Sequence, residues 1–153
     1  MKIVLDTNVL VSSLLNPDGS PAKILNLILS EKIILLYDNR ILNEYYDVLK
    51  REKFGFTDDL ILPLIDYIKN ECVYVNAEPV FLKFADEDDK KFYEVFESGK
   101  ADYLVTGNLT HFPKESFIIS PIVFLKKFLK NRFNFFIIFI FFLTKNHKFI
   151  LCK

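Results

Sequence analysis

The stretch MKIVLDTNVLVSS, residues 1–13, decides the fold. Its apolar run KIVL begins close to the terminus and stops at Asp6, which is followed by Thr7 and Asn8. A short apolar run of this kind is typical of a buried strand in a parallel sheet. Ligands of such sheets gather outside the carboxyl ends of the strands. We therefore predict that Asp6 lies at that edge, and that the Val-Leu-Val of residues 9–11 returns the chain to the core.

Strand-like and helix-like stretches alternate along the rest of the chain. Short apolar runs predict strands at residues 2–6, 33–37, 73–75, 103–106 and 117–120. Apolar residues at helical spacing predict helices from Ser20, over about 40–51, 58–71 and 88–98, and from Pro121. Such alternation implies parallel strands joined by right-handed crossovers. We therefore predict an α/β fold, with a three-layer α/β/α domain around a parallel central sheet at residues 1–129.

Polar residues and one glycine mark the expected helix ends. Ser20 precedes a proline, which favours the first position of a helix, and is expected to cap it. Asp38 or Asn39 is expected to cap the next helix, and Thr57 the one after. Gly99 is expected to end the helix that begins near residue 88.

The composition is that of a globular protein. The 153 residues are 51% hydrophobic and 26% charged, which suits one domain with a real core. Cys72 and Cys152 are too few for a disulfide framework, and nothing resembles a secretory signal before the first strand. We expect a reducing, cytoplasmic location.

The formal net charge of zero conceals an uneven distribution. Residues 1–115 hold all 20 acidic residues and only 13 of the 20 basic ones, which leaves −7. Residues 116–153 hold 7 basic residues and no acid. An acidic body argues against simple electrostatic coating of phosphate. Acids that converge on a metal would reverse the local field.

The tail, residues 130–153, differs from the rest of the chain. Eight of the 17 Phe lie within 128–149, and the uncharged core at 135–143 is about half of the roughly 20 residues that a spanning helix needs. Its few residue types are those that AT-rich codons encode. We predict a frameshift or read-through product. A membrane-associating segment flanked by lysines and a packed extension are the alternatives.

Carboxylates stand next to several predicted element ends. These are Asp6, Glu44, the acidic run at 86–89 and Asp102, with Asn108 after the strand at 103–106. Each has an ordinary alternative. Acids favour helix N-termini and turns, Glu44 could be a solvated helix residue, Gly-Asn is common turn chemistry, and His111 could be a surface or capping histidine.

The absent motifs narrow the chemistry. The chain has no cysteine-rich zinc spacing, no G-x-x-x-x-G-K-[ST], no G-x-G-x-x-G and no G-x-S-x-G. What remains is oxygen-ligand chemistry. Converging carboxylates repel one another unless a hard cation lies among them, and Mg²⁺ and Mn²⁺ suit such sites. A metal site of this kind can generate hydroxide and clamp the oxygens of a phosphodiester.

The order of the motifs resembles that of the PIN-domain ribonucleases, particularly toxin components of toxin–antitoxin modules. The resemblance lies in VLDTNVLVSS (4–13), ILNEYYDVLKR (41–51), DEDDKKFYEVF (86–96), ADYLVTGNLTHF (101–112) and FIISPIVFL (117–125). It implies an α/β/α fold with an acidic pocket for Mg²⁺ or Mn²⁺. The implied activity is metal-dependent endonucleolytic hydrolysis of single-stranded RNA.

The resemblance also assigns the acids by position. Asp6 is the first and Glu44 the second. The third is Asp89, with Asp86 and Asp88 as rivals. All three assigned acids are the expected catalytic residues and metal ligands: Asp6 and Asp89 would bind the catalytic cation, and Glu44 would take a second metal or act as base on the attacking water.

Where many relatives have a fourth acid, this chain has Asn108, whose amide oxygen can ligate but carries no charge. Asp102, at the other end of the same strand, is the candidate to make up that loss. Thr7 or Asn8 is expected to orient Asp6 or the scissile phosphate. The candidate phosphate contacts are Lys90, Lys91, Arg51 and Lys23.

Other interpretations stay open. A catalytically weak or inactive PIN-fold binding module is favoured by Asn108 and by the unusual tail. A phosphatase or receiver-like domain would also begin with a strand ending in Asp, but such a phosphatase would want a second acid where Asn8 stands. The resemblance implies a small antitoxin, which could insert a basic side chain into the acidic pocket, and homodimers are frequent among relatives.

Overall fold

A five-stranded, all-parallel sheet forms the centre of the molecule. The computed structural model describes residues 1–130. The strands are β1 Lys2–Leu5, β2 Ile34–Tyr37, β3 Val73–Tyr74, β4 Tyr103–Val105 and β5 Ile118–Ile119. Their order in the sheet is β3-β2-β1-β4-β5, which places β1 in the middle. The predicted three-layer α/β/α fold with a parallel central sheet is confirmed.

The helices lie in the connections between the strands and flank the sheet. They are α1 Thr7–Leu15, α2 Ser20–Leu29, α3 Asn39–Leu49, α4 Asp58–Glu71, α5 Lys90–Gly99 and α6 at 121–130. The apolar residues of β1, Ile3 to Leu5, are fully buried. Because β1 has a strand on each side and helices over it, Asp6, the residue that follows β1, lies at an enclosed edge of the sheet.

The first helix is the main feature that the sequence did not predict. Residues 9–11 return to the core as expected, but within α1, which begins directly after Asp6. Asp6 caps this helix, because its Oδ1 accepts the backbone N–H of Asn8 at 3.3 Å. The helix buries residues on more than one side and contains two β-branched valines, so neither its periodicity nor its propensity identified it.

The expected caps are partly confirmed. Asp38 caps α3 through its Oδ1, which accepts from the N–H of Ile41 at 2.9 Å. Thr57 stands at the N-cap of α4 without a side-chain cap bond. Ser20 is already the first residue of α2, because Gly19 occupies the cap position.

Gly99 does not stop α5 by its own backbone conformation. The helix ends at Gly99 as expected, but the left-handed conformation, with φ of 50°, belongs to the C-cap residue Lys100. Gly99 is needed for space instead. A Cβ at this position would lie 2.6 Å from Cδ1 of the buried Leu36 on β2.

Tyr45 links α3 to the central strand β1 by a side-chain hydrogen bond. The side chain is fully buried, and its hydroxyl donates to the backbone carbonyl of Leu5, the residue before Asp6. Burial raises the pKa of Tyr45 well above its ordinary value, so the hydroxyl stays a donor. This bond sets the distance between the helix that carries Glu44 and the strand that carries Asp6.

The tail prediction lies almost entirely outside the described residues. Of residues 130–153, only Lys130 is described, and it belongs to α6. The boundary near residue 129 and the origin of the tail therefore stay predictions. Within residues 1–130, none of the helices has both the length and the apolar character needed to cross a membrane.

Replacing Tyr45 by Phe tests this anchor. The variant keeps the ring but leaves the buried Leu5 carbonyl without its side-chain donor, so we expect the free energy of unfolding to fall by about 1–2 kcal/mol. Tyr46→Phe is the matched control, because Tyr46 is only half-buried on the same helix. Urea denaturation measures both. Equal losses for the two variants would contradict the anchoring role.

Candidate metal centre

The site lies where the order of the strands in the sheet reverses, at β1. β1 pairs with β2 on one side and with β4 on the other, so the crossovers leave a crevice at the carboxyl ends of β1 and β4. Asp6 follows β1, and Thr106 follows β4. The Thr106 hydroxyl donates to Asp6 Oδ2 at 2.6 Å, and the backbone N–H of Asp6 donates to the Val105 carbonyl at 3.0 Å.

Asp6 is a buried carboxylate whose hydrogen-bond donors, within residues 1–130, are all neutral. Only 4% of the residue is exposed. Besides Thr106, its donors are the side-chain amide of Asn8, at 2.7 Å, and the Asn8 backbone. Its pKa is raised from 3.8 to about 6, chiefly by burial and also by the nearby charges of Asp89 and Glu44, against the lowering effect of the Thr106 and Asn8 hydrogen bonds. A buried carboxylate of this kind is stabilised by a cation.

Glu44 has both carboxylate oxygens occupied by donors of the chain. Its Oε1 accepts from the Thr7 hydroxyl at 2.5 Å, and its Oε2 lies 2.5 Å from the Lys91 ammonium. Of the two predicted orienting residues, Asn8 bonds Asp6 as expected, whereas Thr7 orients Glu44. Lys91, a predicted phosphate contact, lines a neighbouring depression and pairs with Glu44 at the boundary between this depression and the acidic cleft.

Asp89 belongs to a chain of hydrogen bonds that runs through His111. His111 Nδ1 lies 2.7 Å from Asp89 Oδ2, and His111 Nε2 lies 2.6 Å from the amide nitrogen of Asn108. The Thr110 hydroxyl donates to the Asn108 carbonyl oxygen at 2.8 Å. Because the Asn108 amide nitrogen can only donate, Nε2 accepts, and Nδ1 donates its proton to Asp89. Burial raises the pKa of Asp89, while the His111 bond lowers it.

The structure separates the rival acids. Asp86 lines the same cleft, and ligand atoms of Asp86, Asp89 and His111 all lie within 4.8 Å of one another. Asp88 lines a neighbouring depression instead, together with Lys90. Asp86 and Asp89 therefore both reach the cleft, whereas Asp88 does not line it, and the choice between Asp86 and Asp89 stays a prediction.

The expectation that Asp102 supports this site is wrong. Asp102 precedes β4, and its carboxylate accepts the backbone N–H of Lys2, the first residue of β1, at 2.7 Å. In a parallel sheet, the residue before one strand and the residue after its neighbour lie at opposite edges. Asp102 therefore lies at the amino edge, away from Asp6.

An open cleft of about 440 Å³ joins these groups. Its polar lining includes Asp6, Glu44, Asp86, Asp89, Asn108 and His111. Asp6 and Glu44 stand outside the tight group formed by Asp86, Asp89 and His111.

Sequence reasoning missed Thr106 and gave His111 too little weight. Thr106 carried the same signal as Thr7, a polar residue directly after an apolar strand. For His111, the only signal in the sequence was its position three residues after Asn108.

The profile of the PIN domain family matches residues 2–110. The chain belongs to this family. It is also 38% identical, over 111 residues, to the uncharacterised protein MJ1680 of Methanocaldococcus jannaschii, and the alignment covers 71% of each chain. PIN domains are in general metal-dependent nucleases, so the family and the acidic cleft point to the same class of chemistry.

The residues of this PIN domain fit a divalent cation. Asp6 is buried with neutral donors only, and Asp89 has an oxygen, Oδ1, beside the one that accepts from His111. The donor set is carboxylate oxygen with one imidazole nearby, which suits Mg²⁺ or Mn²⁺ rather than a thiolate-dependent metal. A cation would offset both the burial of Asp6 and its repulsion from Asp89.

The raised pKa of Asp6 predicts a pH-dependent stability difference between the metal-free wild type and Asp6→Asn. Below about pH 4, Asp6 is protonated in the folded and unfolded chains, and the wild type buries no charge at this position. As the pH rises through about 6, the folded wild type must bury that charge and loses about 2–3 kcal/mol relative to the variant. Urea unfolding with a chelator at pH 4.5 and 7.5 measures the difference, and a pH-independent value would contradict it.

Proposed function

We propose that this PIN domain is a metal-dependent endoribonuclease that hydrolyses single-stranded RNA, and that it is the toxin of a toxin–antitoxin pair. One observation carries the catalytic part of the proposal. Asp6, Glu44 and Asp89, from three separate elements, line one cleft at the carboxyl ends of β1 and β4. The resemblance of the motif order to toxin ribonucleases supports the RNA substrate and the toxin role.

Asp6 and Asp89 would hold the cation, Mg²⁺ or Mn²⁺, with Asp86 at its side. When bound, the cation supplies a lowered pKa for an attacking water and charge stabilisation for the phosphodiester oxygens. Asn108 is better placed to support this site than to complete it, because its amide nitrogen contacts His111 and its amide oxygen accepts from Thr110.

The residues around the carboxylates fix their positions. Thr106 and Asn8 hold Asp6 from two sides, and the side-chain amide oxygen of Asn8, Oδ1, accepts the backbone N–H of Gly107 at 3.0 Å. This last bond joins α1 to the loop after β4. His111 holds Asp89 by the donated Nδ1 proton. Such orientation lowers the cost of arranging ligands at the moment of reaction.

Lys90, Arg51 and Lys23 remain proposed phosphate contacts outside the acidic cleft. Lys90 lies 3.7 Å from Glu87 on the surface. The partner we propose is a small antitoxin that inserts a basic side chain into the cleft, in keeping with the charge of −7 over residues 1–115. A homodimer and a cytoplasmic location belong to the same proposal.

A second candidate is a binding module with weak or no catalysis. Asn108 favours it, because an amide stands where many relatives carry an acid. Metal binding separates the two candidates, since a module of this kind has no need of a tight cation site.

RNA cleavage tests the proposed activity. We expect the full chain with Mn²⁺ to cleave a single-stranded RNA, and Asp6→Asn to abolish the cleavage, because the variant loses the charge that would hold the cation. Asp102→Asn is the matched control, since it removes a carboxylate at the opposite edge of the sheet. Equal rates for wild type and Asp6→Asn would indicate a contaminating nuclease and contradict the assignment.

Calorimetry with Mn²⁺ tests the metal site and its register. We expect Asp89→Asn to weaken binding by about tenfold or more, because it removes a ligand charge from the cleft. The adjacent Asp88→Asn should bind as the wild type does, because Asp88 lines the neighbouring depression. The reverse order of the two variants would assign the ligand to Asp88, and no binding by the wild type would favour the binding module.

A further inference from the structure

Lys91 is an almost enclosed lysine beside the acidic cleft. It lines the neighbouring depression and pairs with Glu44, which lines the cleft. Its side chain is only 14% exposed, although lysine is rarely buried unless it is paired. The ammonium lies 2.5 Å from Glu44 Oε2 and also donates to the backbone carbonyl of Asp88. It therefore connects α3 with the acidic turn that precedes α5.

The three central carboxylates differ in what neutralises them. Glu44 has a full positive charge on one oxygen and the Thr7 hydroxyl on the other. Asp6 has only neutral donors, and the partner of Asp89 Oδ2 is an imidazole that donates one proton. The negative charge left for an added cation is therefore on the Asp6 and Asp89 side of the cleft.

We propose that the Lys91 ammonium occupies the cation position beside Glu44, so that the cleft takes one divalent cation rather than two. This inference rests on the proposed metal site. Two-metal nuclease sites hold their ions about 3.5–4 Å apart on shared carboxylates. An ammonium already bound to Glu44 neutralises the ligand that a second ion would need and repels that ion.

Lys91 is therefore distinct from the surface lysines proposed as phosphate contacts. Its ammonium already has two oxygen partners within the chain, and moving it to a phosphate would leave Glu44 without its charged partner. A carboxylate left in that way is costly when it is partly buried. The pair also assigns Glu44 a role other than ligand of a second metal.

Manganese stoichiometry tests the inference. The full chain is titrated with MnCl₂ by calorimetry, and EPR spectroscopy reports whether bound ions are isolated or coupled to a second ion. We expect one ion per chain and an uncoupled spectrum for the wild type. Lys91→Met keeps the apolar stem but removes the charge, and we expect it to bind two ions with a coupled spectrum.

Two controls isolate the cause. Lys91→Arg keeps the positive charge and should bind one ion. The double variant Glu44→Gln/Lys91→Met removes both charges of the pair and should also return to one ion, because Glu44 is no longer available as a ligand. Circular dichroism checks that each variant is folded, and Lys91→Gln replaces Lys91→Met if the latter is not.

Each contrary result has a separate meaning. One ion in both the wild type and the folded Lys91 variants would overturn the inference while leaving the metal site intact. Two ions in the wild type would overturn it as well. No Mn²⁺ binding by any of the proteins would contradict the proposed metal site itself, and this inference with it.

Discussion

The burial of Asp6 at the end of the central strand is the constraint on which the rest of the structure depends. A carboxylate that is 4% exposed, with only neutral hydrogen-bond donors, destabilises the fold above its pKa of about 6. The chain nevertheless supports it closely, with the Thr106 hydroxyl from the adjacent strand and the amide of Asn8. These hydrogen bonds fix the position of the Asp6 carboxylate but do not neutralise its charge. This is the arrangement expected of a metal ligand.

The other two central acids show how the same cleft distributes its charge. Glu44 is compensated by an ammonium, whereas Asp89 is held by His111, whose orientation depends on the Asn108 amide. Asn108 therefore keeps the His111 imidazole in the orientation in which it donates to Asp89. This role differs from that of a metal ligand. In this chain, the division leaves the uncompensated charge on the Asp6 and Asp89 side of the cleft.

Most of the fold could be predicted from local patterns, because buried parallel strands are short apolar runs and Asp38 is a recognisable helix cap. The helix after Asp6 could not, since its composition suits a core segment of any kind. For the site, the sequence predicted which residues follow a strand, such as Asp6 and Asn108. The contacts of Lys91, His111 and Thr106 depend on which side chains meet across separate elements. Asp102 was expected to compensate for Asn108 from the other end of the same strand, but in a parallel sheet that end lies at the edge opposite Asp6.

The proposed cation site lies between Asp6 and Asp89 at the carboxyl edge of the sheet. Anomalous diffraction from crystals of the full chain soaked in MnCl₂ tests this site most directly, because the signal locates manganese independently of activity. We expect a manganese peak within bonding distance of carboxylate oxygens of Asp6 and Asp89. A cleft without manganese, in crystals that bind it at other carboxylates such as Asp102, would contradict the proposed site.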